Sequence, residues 1–157
     1  MKWIRLLALL LPVCSYAQTY QIFKGDTVNR RDKKGLQQGV WKRYYPNDTL
    51  FSSSTYKDGK RVGVFTTYYP SGSLQSRLVF RGNTGVSDGS LYYEKGTIMA
   101  QGKYIGQDKD SLWNYFDENG KLSSVEKYLK GKKDGVSMDY YPDGKVARSM
   151  TFKGGEK

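Results

Sequence analysis

Glu94 and Glu118 are the first residues to weigh as chemistry, because they hold the same turn place 24 residues apart and paired carboxylates hydrolyse glycosides. Such a reaction needs both acids in one pocket, and nothing around these two builds one. The sequence also contains no histidine in its 157 residues. This removes Ser-His and Cys-His nucleophile pairs, imidazole acid-base relays, and most zinc and haem sites. The one cysteine, Cys14, lies in an N-terminal leader, so the mature chain is expected to hold neither a disulfide nor a thiolate metal site. The sequence therefore predicts a non-enzymatic protein with no catalytic residue, no cofactor and no metal.

Two other sets of residues could carry recognition. Trp41, Phe65 and Trp113, with Tyr45, Tyr69, Tyr93 and Tyr141, are expected to form an aromatic row on the sheet face opposite the core, where flat rings can stack on sugars or bases. The bland alternative is cross-strand packing between neighbouring hairpins. The basic residues Lys57, Lys60, Arg61, Arg81, Lys109, Lys130, Lys132, Lys133 and Lys153 gather in inter-repeat turns. In a regular array these turns line one edge as a positive ridge, able to meet anionic lipid or glycan. Lysines there also deter edge-to-edge aggregation.

What positions these residues is an internal repeat. Gly39, Gly63, Ser87, Ser111 and Gly135 open five gapless segments, 39–62, 63–86, 87–110, 111–134 and 135–157. The sixth place of each is Tyr44, Tyr68, Tyr92, Phe116 or Tyr140. The twelfth is Leu50, Leu74, Ile98, Leu122 or Val146, and the eighteenth is Tyr56, Phe80, Tyr104, Tyr128 or Phe152. Before the twelfth place comes a turn signal such as Pro70-Ser71-Gly72-Ser73 or Glu118-Asn119-Gly120-Lys121, in which Gly takes the left-handed conformation. Asp48 replaces that Gly in the first copy, and Asp tolerates the left-handed region. Beyond the turn, Leu74, Leu78 and Phe80 read as one face of a half-buried strand.

Each repeat is thus predicted to be a β-hairpin. The fold class is all-β, five 24-residue hairpins in one elongated antiparallel sheet on the order of 50 Å long. Of the paired tyrosines Tyr44-Tyr45, Tyr68-Tyr69, Tyr92-Tyr93 and Tyr140-Tyr141, the first of each is expected in the core and the second in solvent, since strand neighbours face opposite ways. Residues 18–38 match half a repeat and are expected to cap the starting edge; residues 153–157 are expected to fray.

Residues 1–17 read as a signal peptide: Lys2 and Arg5, an apolar run from Leu6 to Val13, then Ser15-Tyr16-Ala17 before a cut at Gln18. A lipid anchor at Cys14 is the weaker alternative, because Val13 suits such a site badly. The mature chain keeps 24 basic against 15 acidic side chains, a net charge of +9, and has no predicted transmembrane helix. It is expected to be periplasmic or secreted, and export separates it from the chromosome and sets nucleic acid aside.

Runs such as Gly39-Val40-Trp41-Lys42-Arg43-Tyr44-Tyr45-Pro46-Asn47 and Leu112-Trp113-Asn114-Tyr115-Phe116-Asp117-Glu118-Asn119-Gly120 resemble the MORN-repeat variant family of bacterial proteins. Departures are Ser87 and Ser111 for the leading Gly, and Gly89 and Ser137 where an aromatic is usual. The resemblance implies a scaffold, with lipid binding in some relatives and a YwqK-type antitoxin-like label in others. The leading expectation is an exported scaffold binding a protein partner at the cell envelope. The alternatives are anionic lipid or glycan on the ridge and aromatic row, and an antitoxin or immunity role.

Overall fold

A computed structural model describes residues 17–23 and 25–157. The signal-peptide reading of residues 1–16, with Cys14, lies outside the described residues. The strands are β1 (Thr19–Phe23), β2 (Asp26–Arg31), β3 (Gln37–Tyr44), β4 (Leu50–Lys57), β5 (Lys60–Tyr68), β6 (Leu74–Phe80), β7 (Val86–Tyr92), β8 (Ile98–Ile105), β9 (Asp108–Phe116), β10 (Leu122–Leu129), β11 (Lys132–Lys133), β12 (Gly135–Tyr140) and β13 (Val146–Phe152). All join one open antiparallel sheet in chain order, with β11 pairing off the path against β10. The chain is all-β: no helix is present among the described residues, and none that could cross a membrane.

The five tight turns close alike. The amide of the seventh repeat place donates to the carbonyl of the eleventh, as in Tyr45 to Thr49 at 2.8 Å and Tyr93 to Thr97 at 2.9 Å. The tenth-place amide donates back, as in Gly72 to Tyr69 at 2.9 Å. This place has φ of 90° at Gly72, 95° at Gly96 and 62° at Asp48, so the aspartate does adopt the left-handed conformation. That conformation costs an L-residue about 1–2 kcal/mol, against about 0.5–1 kcal/mol of chain entropy for glycine. Asp48→Gly is therefore expected to raise stability by about 0.5 kcal/mol, read as a small rise in the thermal midpoint.

Each hairpin carries one β-bulge at the turn end. In the first, Arg43 pairs with Ser52 but Tyr44 pairs with Leu50, which leaves Phe51 extra. The same shift recurs at Thr67/Tyr68, Leu91/Tyr92, Leu122/Ser124 and Asp139/Tyr140. A bulge breaks strand alternation. Since paired residues share a face, the sixth and twelfth places fall on one face while the third and eighteenth fall on the other. Leu74 thus pairs with Tyr68, apart from Leu78, which pairs with Phe65; the single face predicted for Leu74, Leu78 and Phe80 is split.

Consecutive repeats are tied along both long edges. On the turn edge, the hydroxyls of Tyr45, Tyr69 and Tyr93 donate to the carbonyls of Tyr68, Tyr92 and Phe116 at 2.8–2.9 Å. On the linker edge, the amides of Gly59, Gly106, Gly131 and Gly155 donate to the carbonyls of Gln37, Gly85, Lys109 and Lys133 at 2.7–3.0 Å. These ties join residues 21 to 23 apart in sequence, so a length change in one repeat would break both series.

The covered side of the sheet is the face of the third and eighteenth places, here the aromatic face. Ala100, Trp113, Phe152, Ser52, Ser54, Ser87 and Ser137 are buried, and the pairing register puts them all on it. Rings there lie over small residues: a Cβ built on Gly102 would stand 2.5 Å from the Trp113 ring, and one on Gly89 2.7 Å from Tyr104. The core is therefore one-sided, large rings folded down over serine and glycine.

Two expectations are corrected. Tyr44, Tyr68, Tyr92, Phe116 and Tyr140 are half-buried, not a core, because strand alternation sets the sixth place opposite the third and the bulge puts the eighteenth place with the third. The C-terminus folds back, with Lys153 bridged to Glu156 and Gly155 tied to Lys133. At the start of the array, β1 and β2 form a hairpin that pairs onto β3 and extends the sheet, with β1 outermost.

Candidate functional site

Linker bulges do to the basic residues what the turn bulges do to the aromatic ones. Where β4 meets β5 the register slips, so that Arg61 pairs with Tyr56; Lys109 pairs with Tyr104 after a similar slip, and Lys133 with Tyr128. Arg61, Lys109 and Lys133 therefore leave the predicted ridge and lie on the aromatic face. The guanidinium of Arg61 is 4.4 Å from the Phe65 ring centre, the Lys109 ammonium 4.6 Å from Trp113, and the Lys133 ammonium 5.2 Å from Phe152. Lys57, Lys60, Lys130, Lys132 and Lys153 stay exposed along the linker edge, and Arg81 forks onto Asp88 at 2.9 Å.

The predicted aromatic row also divides. Trp113, Trp41 and Phe65 lie on the covered face, not opposite it. Trp113 is fully buried, its indole N–H donating to the Lys103 carbonyl at 3.0 Å and its ring edge-on to Tyr104 at 4.8 Å. Tyr45, Tyr69 and Tyr93 are the half-buried ties of the turn edge. Tyr141 is 56% exposed.

Two clusters of rings and cations result. Around Trp113, Lys109 donates to Tyr115 at 2.7 Å, the Tyr115 and Tyr128 hydroxyls meet at 3.2 Å, and Tyr128 donates to Glu126 at 2.6 Å. Lys133 donates to the other Glu126 oxygen at 2.5 Å. Burial pushes the Glu126 carboxyl up, but hydrogen bonds from Lys133 and Tyr128 outweigh it and hold it below the usual range. Burial lowers Lys109, partly offset by Glu126. The hydrogen bonds run in one line from Lys109 through Tyr115, Tyr128 and Glu126 to Lys133.

Burial also raises the Tyr104, Tyr115 and Tyr128 hydroxyls, with the Tyr115–Tyr128 contact raising Tyr115 further. A group whose folded pKa lies above its unfolded value favours the fold below the unfolded value and ceases to as pH climbs toward the folded one. Stability is therefore expected to fall as pH rises beyond about 10, the unfolded tyrosine value. Near-ultraviolet circular dichroism against pH measures it, and Tyr115→Phe should make the fall shallower.

The second cluster is open. Trp41, Tyr56, Phe65 and Phe51 surround a basin floored by Ser52 and Ser54 and rimmed by Arg43 and Arg61, with the Arg31 guanidinium 5.1 Å over Trp41. The sequence reading missed this grouping because Arg43 and Phe51 are not period-marking residues: Arg43 shares Trp41's face by alternation along β3, and Phe51 is the extra residue of the bulge. Among the described residues, no group of three or more metal-ligating side chains gathers. Each hairpin from β3 to β13 repeats the same bulged register on a fixed 24-residue period, the geometry of a hairpin-repeat array.

Three segments match the MORN repeat variant. They are residues 37–58, 61–81 and 133–153, the hairpins β3–β4, β5–β6 and β12–β13. These MORN-type hairpins keep the leading Gly39, Gly63 and Gly135 and the turn prolines Pro46, Pro70 and Pro142. The intervening hairpins β7–β8 and β9–β10 have Ser87 and Ser111 with Glu94 and Glu118, yet fold with the same turn bonds and bulge. MORN repeats are in general protein- or lipid-binding modules without enzymatic activity. No curated protein matches the chain.

Proposed function

We propose that the chain is an exported, non-enzymatic MORN-type scaffold that docks a protein of the cell envelope. Export rests on the signal-like leader of residues 1–17. The docking surface is the face opposite the rings, and the observation that carries it is a group of valines on that face in the first two repeats, linked across strands through Thr55. Val40 pairs with Thr55, Thr55 with Val62, and Val64 with Val79. Val40 and Val64 are 42% and 38% exposed. The group ends where Val79 meets Asp88, which Lys103 follows. A contiguous apolar patch with a charged border has the anatomy of a protein interface, whereas scattered exposed valines do not.

The test is affinity capture from envelope extract at high salt, comparing the natural sequence with Val40→Glu/Val64→Glu. Exposed valines contribute little to the fold, so the double variant should remain folded and lose a stoichiometric polypeptide that the natural sequence retains. Equal retention by both would reject this face.

A further inference from the structure

We infer that the basin over the first two repeats, on the aromatic face, is a binding site for an acidic saccharide bearing uronate carboxylates. This is a second ligand of another class on the other side of the sheet, and it stands independently of the protein-docking surface proposed above.

The first argument is charge. Arg31, Arg43 and Arg61 surround the basin, and none pairs with a carboxylate among the described residues. Elsewhere Arg81 pairs with Asp88 at 2.8 Å and Arg148 with Asp139 at 2.6 Å, whereas Arg30 and Arg77 stand singly, so what sets the basin apart is three guanidiniums gathered on rings. In the basin the guanidiniums rest instead on rings, Arg31 on Trp41, Arg43 on Phe51 at 5.8 Å and Arg61 on Phe65 and Tyr56. Arg61 also donates through Nε to the Tyr56 hydroxyl at 2.9 Å. A planar guanidinium fixed by stacking keeps other N–H groups free and is suited to bidentate capture of a carboxylate.

The second argument is an unmet donor. The Trp41 indole N–H is shielded and has no hydrogen-bond partner, although its repeat equivalent in Trp113 is bonded to a backbone carbonyl. An unpaired shielded donor costs about 1–3 kcal/mol, a cost that an incoming hydroxyl or carboxylate oxygen would remove once the ring shifts enough to expose the N–H. The cluster around Trp113 satisfies itself; the one around Trp41 does not.

The third argument is shape and polarity. Ser54 pairs with Trp41 on one side and Phe65 on the other, so the two rings flank a small hydroxyl about 10 Å apart, two strand spacings. Rings with a hydroxyl floor suit a sugar, whose C–H face stacks on an aromatic ring while its hydroxyls bond serine and the neighbouring Gln37 amide. An acyl chain would leave these polar groups unpaired.

The probe is a polygalacturonate oligomer, titrated calorimetrically and by tryptophan emission against neutral dextran, poly-glutamate, poly-dT and phosphatidylglycerol vesicles. Polygalacturonate should bind, perturb Trp41 emission, and lose its spectral signal in Trp41→Phe. Arg43→Gln and Arg61→Gln should each weaken binding at least tenfold, while Lys130→Gln/Lys132→Gln on the linker edge should change it less than twofold. Val40→Glu/Val64→Glu on the opposite face should not change it. Two arginine variants keep the test decisive if one fails to fold. No binding by polygalacturonate, equal binding by dextran, poly-glutamate, poly-dT or the vesicles, or equal losses from the edge lysines would overturn the assignment.

Discussion

Trp113→Ala is expected to destabilise the protein by about 3–5 kcal/mol, the range for removing a fully buried large aromatic. The ring has no exposed surface, is edge-on to Tyr104 and lies under the Lys109 ammonium. Its loss empties the largest side chain of a one-sided core and leaves the Lys103 carbonyl without its N–H donor. In a repeat array the damage stays with nearest neighbours. Amide exchange should therefore accelerate first in β8, β9 and β10, while the hairpin β3–β4 keeps its protection. Trp41→Ala provides the contrast: that ring is half-buried and its N–H unpartnered, so a cost below about 2 kcal/mol is expected. Equal losses from the two tryptophans would mean that both clusters are packing alone.

The period, the hairpins and the turn conformation, down to the left-handed Asp48, were readable because each depends on local chemistry: a glycine or aspartate at positive φ, and aromatic residues recurring at one interval. The facing of side chains was not readable, because one bulged residue per hairpin reverses it. Phe51 is extra in the ladder, and nothing in its identity announces that. From this follow the grouping of the twelfth and eighteenth places on one face, the core set on the side of Tyr44 and not on that of Trp41, Phe65 and Trp113, and the missed place of Phe51 in the basin. Arg61, Lys109 and Lys133 looked like turn residues by composition, and the linker bulges carried them onto the rings instead. Ser87 and Ser111 show the same limit. Both replace a leading glycine, but Ser111 stands at φ 61° where Gly39 and Gly63 stand at 69°, whereas Ser87 pairs regularly with Phe80 and is not at positive φ. The two substitutions look alike in sequence and differ in backbone.

Gly102→Val is expected to cost about 3 kcal/mol, the upper part of the range for overpacking, and the sign is what makes it informative. Gly102 sits inside β8 without a positive φ, so on backbone grounds alone a side chain should help by about 0.5–1 kcal/mol. Sterics decide otherwise. The first added carbon would stand 2.5–2.6 Å from three atoms of the Trp113 ring, and that ring is buried, bonded at its N–H and flanked by Tyr104, so it cannot swing aside. Gly102→Ala should show the same sign at about 2 kcal/mol. Placing Trp113→Leu in the Gly102→Ala background should make the pair less destabilised than the two changes added separately, by 1 kcal/mol or so, because the residues are direct cross-strand partners. Denaturant midpoints of the four proteins measure that coupling. Strict additivity would mean that the ring does not rest on the glycine in solution, and that the large-over-small packing of the aromatic face is wrong at its most crowded point.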